Sequence, residues 1–475
     1  MIPSSWHQDW SGFRVAVFGL GKSGFSVADT LMELGSSVTV FARGAESELV
    51  DLLGVIGAGY QPTDDPADFE PGSFDFAVVS PGFPPNHPLI QKATGSGLKL
   101  VTDIDLAWRL RDKVKPAKWI TITGTNGKTT TTELCEAMLL ASGQRAVACG
   151  NIGSPILDAI RDPQGFDYLV VELSSFQLHY LDEIAPVASA FLNLAEDHLD
   201  WHGNIDLYFA AKSKVYQNTE LAIVYNEQDP KTLAAAEAAE VQEGCRAVAF
   251  TLAIPAVSMV GYVEEFLVDR AFIENRRDAA QEIVSTLELD NLAPLSPHLK
   301  ANIAAATALC RAVGVAPNFI NLALKIFRLS KHRIEKVAEL NQVSFIDDSK
   351  ATNAHAADAA LNSFESVVWI VGGLLKGVDP EPLIRKHLGR LRAAVVIGAD
   401  TSELEKLFST LAPNLPVRVV SGGDVMQQAV STAFGLAEPG DTVLLAPAAA
   451  SMDQFKDYVD RGNQFQAAVR ALGDD

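Results

Sequence analysis

The chain is poor in the features that mark secreted, membrane-spanning or nucleic-acid-binding proteins. Its four cysteines, Cys135, Cys149, Cys245 and Cys310, are scattered through 475 residues with no C-x-x-C pair. That excludes a zinc ribbon or a disulfide framework and fits reduced, buried thiols in the cytoplasm. No apolar run reaches the roughly 18 residues a membrane span needs, so no membrane insertion is expected. The opening MIPSSWHQDW lacks a basic stretch followed by an apolar one, and no secretory leader is expected. Positive charge is scarce as well. With 38 Lys and Arg against 59 Asp and Glu, the net charge is −21, which argues against nucleic acid or an anionic membrane as partner. An anionic small molecule remains compatible, because a few lysines and glycine amides suffice for a local positive pocket. Internal repeats and low-complexity tracts are absent.

What is present reads as a buried α/β protein. Hydrophobic residues make up 48% and charged ones 20%, and the length calls for two to four domains. Short Val/Ile/Phe runs alternate with helical patterns, as in parallel sheets. FRVAVFGLG, SVTVFA and FDFAVVSPG form a first group. KWITITGTNGK, FDYLVVELSS, ASAFLNL and LAIVYN form a second, and VSFIDDSKATN, VVWIVGG, AAVVIGAD and TVLLAPAAAS a third. Three units over residues 1–114, 115–329 and 330–475 are expected, with small strands or loops over 250–295.

The stretch TITGTNGKTTTTELCEAMLLASG resembles a phosphate loop that has lost a piece. The spacing G-x-x-x-x-G-K-[ST] would put its first glycine at Ile122, whereas Gly124 comes two positions later. A β-branched strand precedes it, and a helix follows with apolar spacing at Leu134, Ala137, Met138 and Ala141. Backbone N–H groups at that helix start favour an anion, Lys128 suits β- and γ-phosphates, and Thr129 can ligate Mg²⁺. A plain strand–turn–helix junction with an exposed lysine has the same outline, but the coincidence of Gly124, Asn126, Gly127, Lys128 and two threonines favours a triphosphate. GLGKSG, Gly19 to Gly24, fits G-x-G-x-x-G equally as a dinucleotide site or a generic glycine turn. The second strand ends in Arg43 where an NAD site wants an acid, which suits a phosphate-bearing ligand better.

Other candidates lie near strand ends. Glu172 closes a buried strand and could hold Mg²⁺, or cap the helix after Ser174 and Ser175. Asp197, His198, Asp200 and His202 gather in NLAEDHLDWHG as possible metal ligands. Lys212 and Lys214 read as solvated helix lysines. DDSKATN, GGLLKG with Lys376, and Ser451 in APAAASMDQFKDY could together form a basic pocket for a small acid.

Taken in order, GTNGKTT, ELSSFQL, NLAEDHLDWHG, HRIE, DDSKATN and GGLLKG resemble the ATP-dependent Mur ligases of peptidoglycan synthesis over nearly the whole chain. ELSSFQL with DDSKATN resembles the members that add D-glutamate, and the D-N-P-R motif of the diaminopimelate-adding relatives is missing. A related ligase adding another amino acid, of Mur or folylpolyglutamate type, is the alternative. The resemblance implies an α/β fold in three domains: an N-terminal Rossmann-like domain for a UDP-sugar, a central P-loop ATPase-type parallel sheet, and a C-terminal Rossmann-like domain for the amino acid. Implied substrates are UDP-N-acetylmuramoyl-L-alanine, D-glutamate and ATP, with two Mg²⁺ sites and a monomeric enzyme.

By position, Lys128, Glu172, His198 and Lys212 carry the catalytic roles. Thr129, Glu172, His198 and a carbamylated Lys212 are the implied metal ligands. Gly124, Thr125, Asn126, Gly127, Lys128, Thr129, Thr130, Asn302, Arg333 and Asp348 fall on ATP. Gly19, Leu20, Gly21, Ser23, Gly24, Arg43, Ser80, Gly82, Asn151 and His198 fall on the UDP-substrate. Lys350, Thr352, Lys376, Ser451 and Tyr458 fall on the amino acid. Phe41, Ala42, Leu299 and Leu374 depart from the family pattern, near the bases and the amino acid rather than the phosphates.

Overall fold

A computed structural model describes residues 2–182, 184–292 and 295–473. Three sheets organise them. The first is parallel, in the order β3-β2-β1-β4-β5, with β1 Arg14–Phe18, β2 Ser37–Phe41, β3 Gly59–Gln61, β4 Phe76–Val79 and β5 Leu100–Val101. The second runs β14-β13-β12-β11-β10-β9-β6-β8-β7. Its strands are β6 Lys118–Thr123, β7 Ala146–Gly150, β8 Tyr168–Glu172, β9 Ala188–Phe191, β10 Ala222–Asn226, β11 Arg246–Phe250, β12 Met259–Val263, β13 Phe266–Asp269 and β14 Gln281–Ser285. It is parallel from β7 to β12 and turns antiparallel at β13 and β14, so much of the stretch 250–295 becomes a sheet extension. The third has the order β15-β16-β20-β17-β18-β19, with β15 Glu335–Leu340, β16 Val343–Asp347, β17 Val367–Gly372, β18 Leu391–Ile397, β19 Val417–Val419 and β20 Thr442–Leu445; only β15 is antiparallel.

The continuous apolar strands follow from burial on both faces. In β1, Val15 and Val17 join one core, while Ala16 and Phe18 join another with Phe41 and Phe69. In the third sheet Val368 and Ile370 of β17 face one core and Val367, Trp369 and Val371 the other. This is the two-residue side-chain period of a strand read on both sides.

The chain divides into two compact units. One holds residues up to Leu194 with Ile205–Asn291 and Leu299–Phe327, and carries the first two sheets. The other holds Ala195–Asn204, Leu292–His298 and the chain from Arg328 onward, and carries the third. No helix among the described residues is long and apolar enough to cross a membrane.

Candidate active site

The shortened glycine loop joins the carboxyl end of β6 to the helix Lys128–Ala141, which buries Leu134, Cys135, Met138 and Leu139. Gly127 takes the N-cap position with a φ of +82°, a left-handed conformation that a side chain strains. A Cβ there would run into the Asn302 side chain, so Asn302 lies directly on the loop. Asn193 clamps the loop from the end of β9. Its Oδ1 accepts the Asn126 N–H at 2.9 Å, its Nδ2 donates to the Asn126 carbonyl at 3.1 Å, and its own carbonyl accepts the Thr125 N–H at 2.9 Å. The Lys128 ammonium donates to the carbonyls of Gly124 (3.0 Å) and Thr125 (2.9 Å), which folds it back over the loop. Thr129 and Thr130 are buried in the first helical turn.

Glu172 ends β8, the strand beside β6, in register with Ile122. It is not a helix cap: Ser174 caps Ser175–Tyr180 in a reciprocal box with Gln177. One Glu172 oxygen, Oε1, accepts the Asn151 side-chain amide at 2.8 Å, while Oε2 is buried with no hydrogen-bond partner. A buried carboxylate oxygen left bare is costly, and a hard divalent cation satisfies it. The donor set of Glu172 and the Thr129 hydroxyl therefore fits Mg²⁺. Lys212 is no surface lysine. Only 1% exposed, it donates to the Gly124 carbonyl at 2.7 Å and to Thr123 Oγ1 at 3.3 Å. Tyr208 lies under it at 4.8 Å and its hydroxyl is 3.2 Å from Thr125 Oγ1.

A cavity of about 620 Å³ opens at the carboxyl ends of β1 and β4, where the strand order reverses and such folds bind ligands. Gly19, Leu20, Gly21, Ser23, Gly24, Ser80 and Gly82 all line it. A Cβ on Gly19 would approach Ser80 Oγ to 2.8 Å, and one on Gly24 would collide with the Gly19 carbonyl, so both glycines are required by close backbone approach. Arg43 is exposed and does not line the cavity, and Asn151 is taken up by Glu172.

The second unit gathers DDSKATN, GGLLKG and APAAAS at the ends of three neighbouring parallel strands, β16, β17 and β20. Main-chain bonds stitch them: Ala448 N–H to Ala351 O and a reciprocal pair between Leu374 and Ala450, each 2.9 Å. The Lys350 ammonium sits 4.9 Å from the Tyr458 ring, Thr352 donates its N–H to the Lys350 carbonyl, and Ser451 is buried. Lys376 pairs with Asp197 at 3.0 Å, and Asn353 donates to the other Asp197 oxygen at 3.1 Å. Burial pushes the Asp197 carboxyl up, but Lys376 and His198 outweigh it and hold it below the usual range. His198, at a φ of +54°, also belongs to this unit. Asp348 is buried, and desolvation pushes its carboxyl up to about 7 against the pull of Arg333, whose Nε is itself buried without a partner.

The family model for the Mur ligase middle domain matches residues 122–310, and the one described as Mur ligase, glutamate ligase domain, matches 332–449. A UDP-N-acetylmuramoylalanine–D-glutamate ligase from Leifsonia xyli subsp. xyli is 53% identical over 488 residues, covering 98% of this chain and 94% of the relative. The chain belongs to the Mur ligase family. The Streptomyces coelicolor ligase of the same name is 45% identical over 478 residues, with 98% of this chain and 99% of that one covered. The solved UDP-N-acetylmuramate–alanine ligase of Thermotoga maritima has a TM-score of 0.58 at 17% identity, over 97% of this chain and 100% of that one, which reflects the fold alone.

This Mur ligase also relies on residues that motif reading passed over. Asn193 fixes the shortened glycine loop and stands at the head of NLAED, and its place directly after an apolar strand was the available signal. Arg461, fully buried, donates to the carbonyls of Ser349 (2.7 Å) and Ala449 (3.1 Å) and so ties two strand-end loops together. Burial lowers its guanidinium to about 10. Nothing in DYVDRGNQF distinguishes Arg461 from a surface helix arginine.

Proposed function

We propose that this Mur ligase joins D-glutamate to UDP-N-acetylmuramoyl-L-alanine with hydrolysis of ATP to ADP and phosphate, a cytoplasmic step of peptidoglycan synthesis. One observation carries the reading: a phosphate loop lies beside a buried, unpartnered carboxylate oxygen on the neighbouring strand. It occurs in a chain whose 53% and 45% identical relatives bear that ligase's name.

In this reading the alanyl carboxylate attacks the γ-phosphorus of ATP, ADP departs, and an acyl phosphate forms. The D-glutamate amine attacks the acyl carbon, and phosphate leaves from the tetrahedral adduct. Gly127, Lys128, Thr129 and Thr130 hold the phosphates, Gly124, Thr125 and Asn126 shape the loop on ATP, and Lys128 offsets charge as the phosphoryl group moves. Thr129 and Glu172 would hold one Mg²⁺, and His198 with Lys212 a second; bound there, the ion would withdraw charge from the transferring group. Lys212 is proposed to be carbamylated; its complete burial supports this, since the modification replaces a buried cation by an anionic ligand. Asn302, Arg333 and Asp348 position the nucleotide. The Gly19–Gly24 loop, Ser80 and Gly82 receive the UDP-sugar, with Arg43, Asn151 and His198 on the same substrate. Lys350, Thr352, Lys376, Ser451 and Tyr458 hold D-glutamate. These roles fall to three domains, 1–114, 115–329 and 330–475, in a monomer.

The test supplies ATP, Mg²⁺ and UDP-N-acetylmuramoyl-L-alanine and compares phosphate release with D-glutamate, L-glutamate, meso-diaminopimelate and L-lysine. Release with D-glutamate alone is expected; equal release with L-glutamate would discard the reading.

A further inference from the structure

Dinucleotide-type folds place an acid at the end of the second strand to hold ribose hydroxyls. Here that position carries Arg43, exposed and outside the cavity. We infer that Asp64 and His87 together supply the missing hydroxyl clamp, binding the ribose of the nucleotide in the cavity between β1 and β4. The inference rests on the proposed UDP-sugar reading of that cavity.

Both residues line the cavity with the glycine loop. Asp64 arrives three residues after β3, the strand hydrogen-bonded to β2, so the acid comes from one strand farther out than usual. His87 arrives from the β4 side, as the N-cap of the helix Pro88–Gly95. Its Nδ1 accepts the Leu89 N–H at 3.3 Å, so the ring's proton is on Nε2. That nitrogen stands 3.9 Å from Asp64 Oδ2, too far for a direct hydrogen bond. A hydroxyl beside the gap can donate to Asp64 and accept from Nε2–H at ordinary lengths of about 2.7 to 3.0 Å. Among the described residues, no hydrogen bond reaches the Asp64 carboxylate. The imidazole is held in place by the Phe83 ring, edge-on at 4.9 Å, and Phe83 in turn abuts Gly19, where a built Cβ would lie 3.3 Å from its ring. One aromatic ring therefore separates the clamp from the phosphate-binding turn, the order in which phosphate and ribose follow each other in a nucleotide.

The inference is tested by calorimetric titration of the full-length protein with UDP, 2′-deoxy-UDP and 3′-deoxy-UDP. Wild type is expected to bind UDP about ten-fold tighter than at least one deoxy analogue, the size of one charge-assisted hydrogen bond. In Asp64→Asn that preference should shrink to about two-fold or less. His87→Asn keeps a good helix cap but loses the reach of Nε2; it should melt at the wild-type temperature and still lose most of the preference. Equal wild-type affinity for UDP and both analogues, or a ten-fold preference surviving in both variants, overturns the clamp while leaving the cavity's ligand standing. Failure of the wild type to bind UDP at all overturns the cavity reading and the clamp with it.

Discussion

Glu172 and Asp348 are both buried acids at the ends of sheet strands, but burial acts on them differently. Glu172 keeps one oxygen bare inside the fold, and an unsatisfied buried polar atom costs about 1–3 kcal/mol. On the proposed reading Mg²⁺ would relieve that penalty only in the folded chain and so would stabilise by linkage. Wild type should therefore melt higher with MgATP than with ATP plus EDTA, and Glu172→Gln should lose that difference. Its phosphate release should fall by about 10²–10³-fold, the scale of losing one electrostatic stabiliser; an unchanged magnesium increment would remove Glu172 from the metal site. Asp348, by contrast, holds a proton that the unfolded chain has already released, because desolvation raises it from 3.8 to about 7. More protons bound in the folded state means that stability falls as pH rises from about 4 to about 7 and is level above. Asp348→Asn should flatten the decline between pH 5 and pH 8 by about 3 kcal/mol, at 1.36 kcal/mol per pKa unit. Chemical denaturation at the two pH values reads this directly, and equal slopes in variant and wild type would contradict it. Glu172 was visible in the sequence as an acid ending an apolar run, but a helix cap suited it as well there; only the Ser174–Gln177 box and the placing of β8 beside β6 set the cap aside. The burial of Lys212 was not visible, since the helix Ile205–Ser213 has no clean apolar stripe and the lysine's partners come from residues 123 and 124.

At the level of elements, the strand–loop–helix junction around Gly127 depends on backbone that only glycine enters easily. Its φ of +82° and the Asn302 side chain pressed against it both oppose a methyl group. Gly127→Ala should destabilise by about 1–3 kcal/mol and raise the KM for ATP. Gly143→Ala, at a φ of +81° with open space around it, should share the conformational cost but leave KM unchanged. Equal KM effects in the two variants would mean that loop shape does not matter to ATP. The three groups of parallel strands were readable, because β-branched runs bounded by glycines repeat in all of them. The antiparallel extension β12 to β14 was visible only as a blur: its strands of four or five residues carry mixed burial and no sustained period. Pairings such as Asp64 with His87 were out of reach, since they join residues 23 positions apart that share neither motif nor element.

For the whole molecule, the two compact units each enclose their own hydrophobic cores. Units of this kind melt separately when their contents are self-sufficient. Scanning calorimetry should resolve two transitions, and UDP should shift only the one belonging to the unit that holds the Gly19–Gly24 loop. A single transition shifted as a block would show that the units unfold together. The net charge of −21 adds self-repulsion at low ionic strength, which moderate salt relieves.

The bare oxygen on Glu172 also bears on the order of assembly. Packing β8 beside β6 strips water from a carboxyl oxygen for which the fold supplies no donor, so a cation already at hand, on the proposed reading, should ease the closing of this part of the sheet.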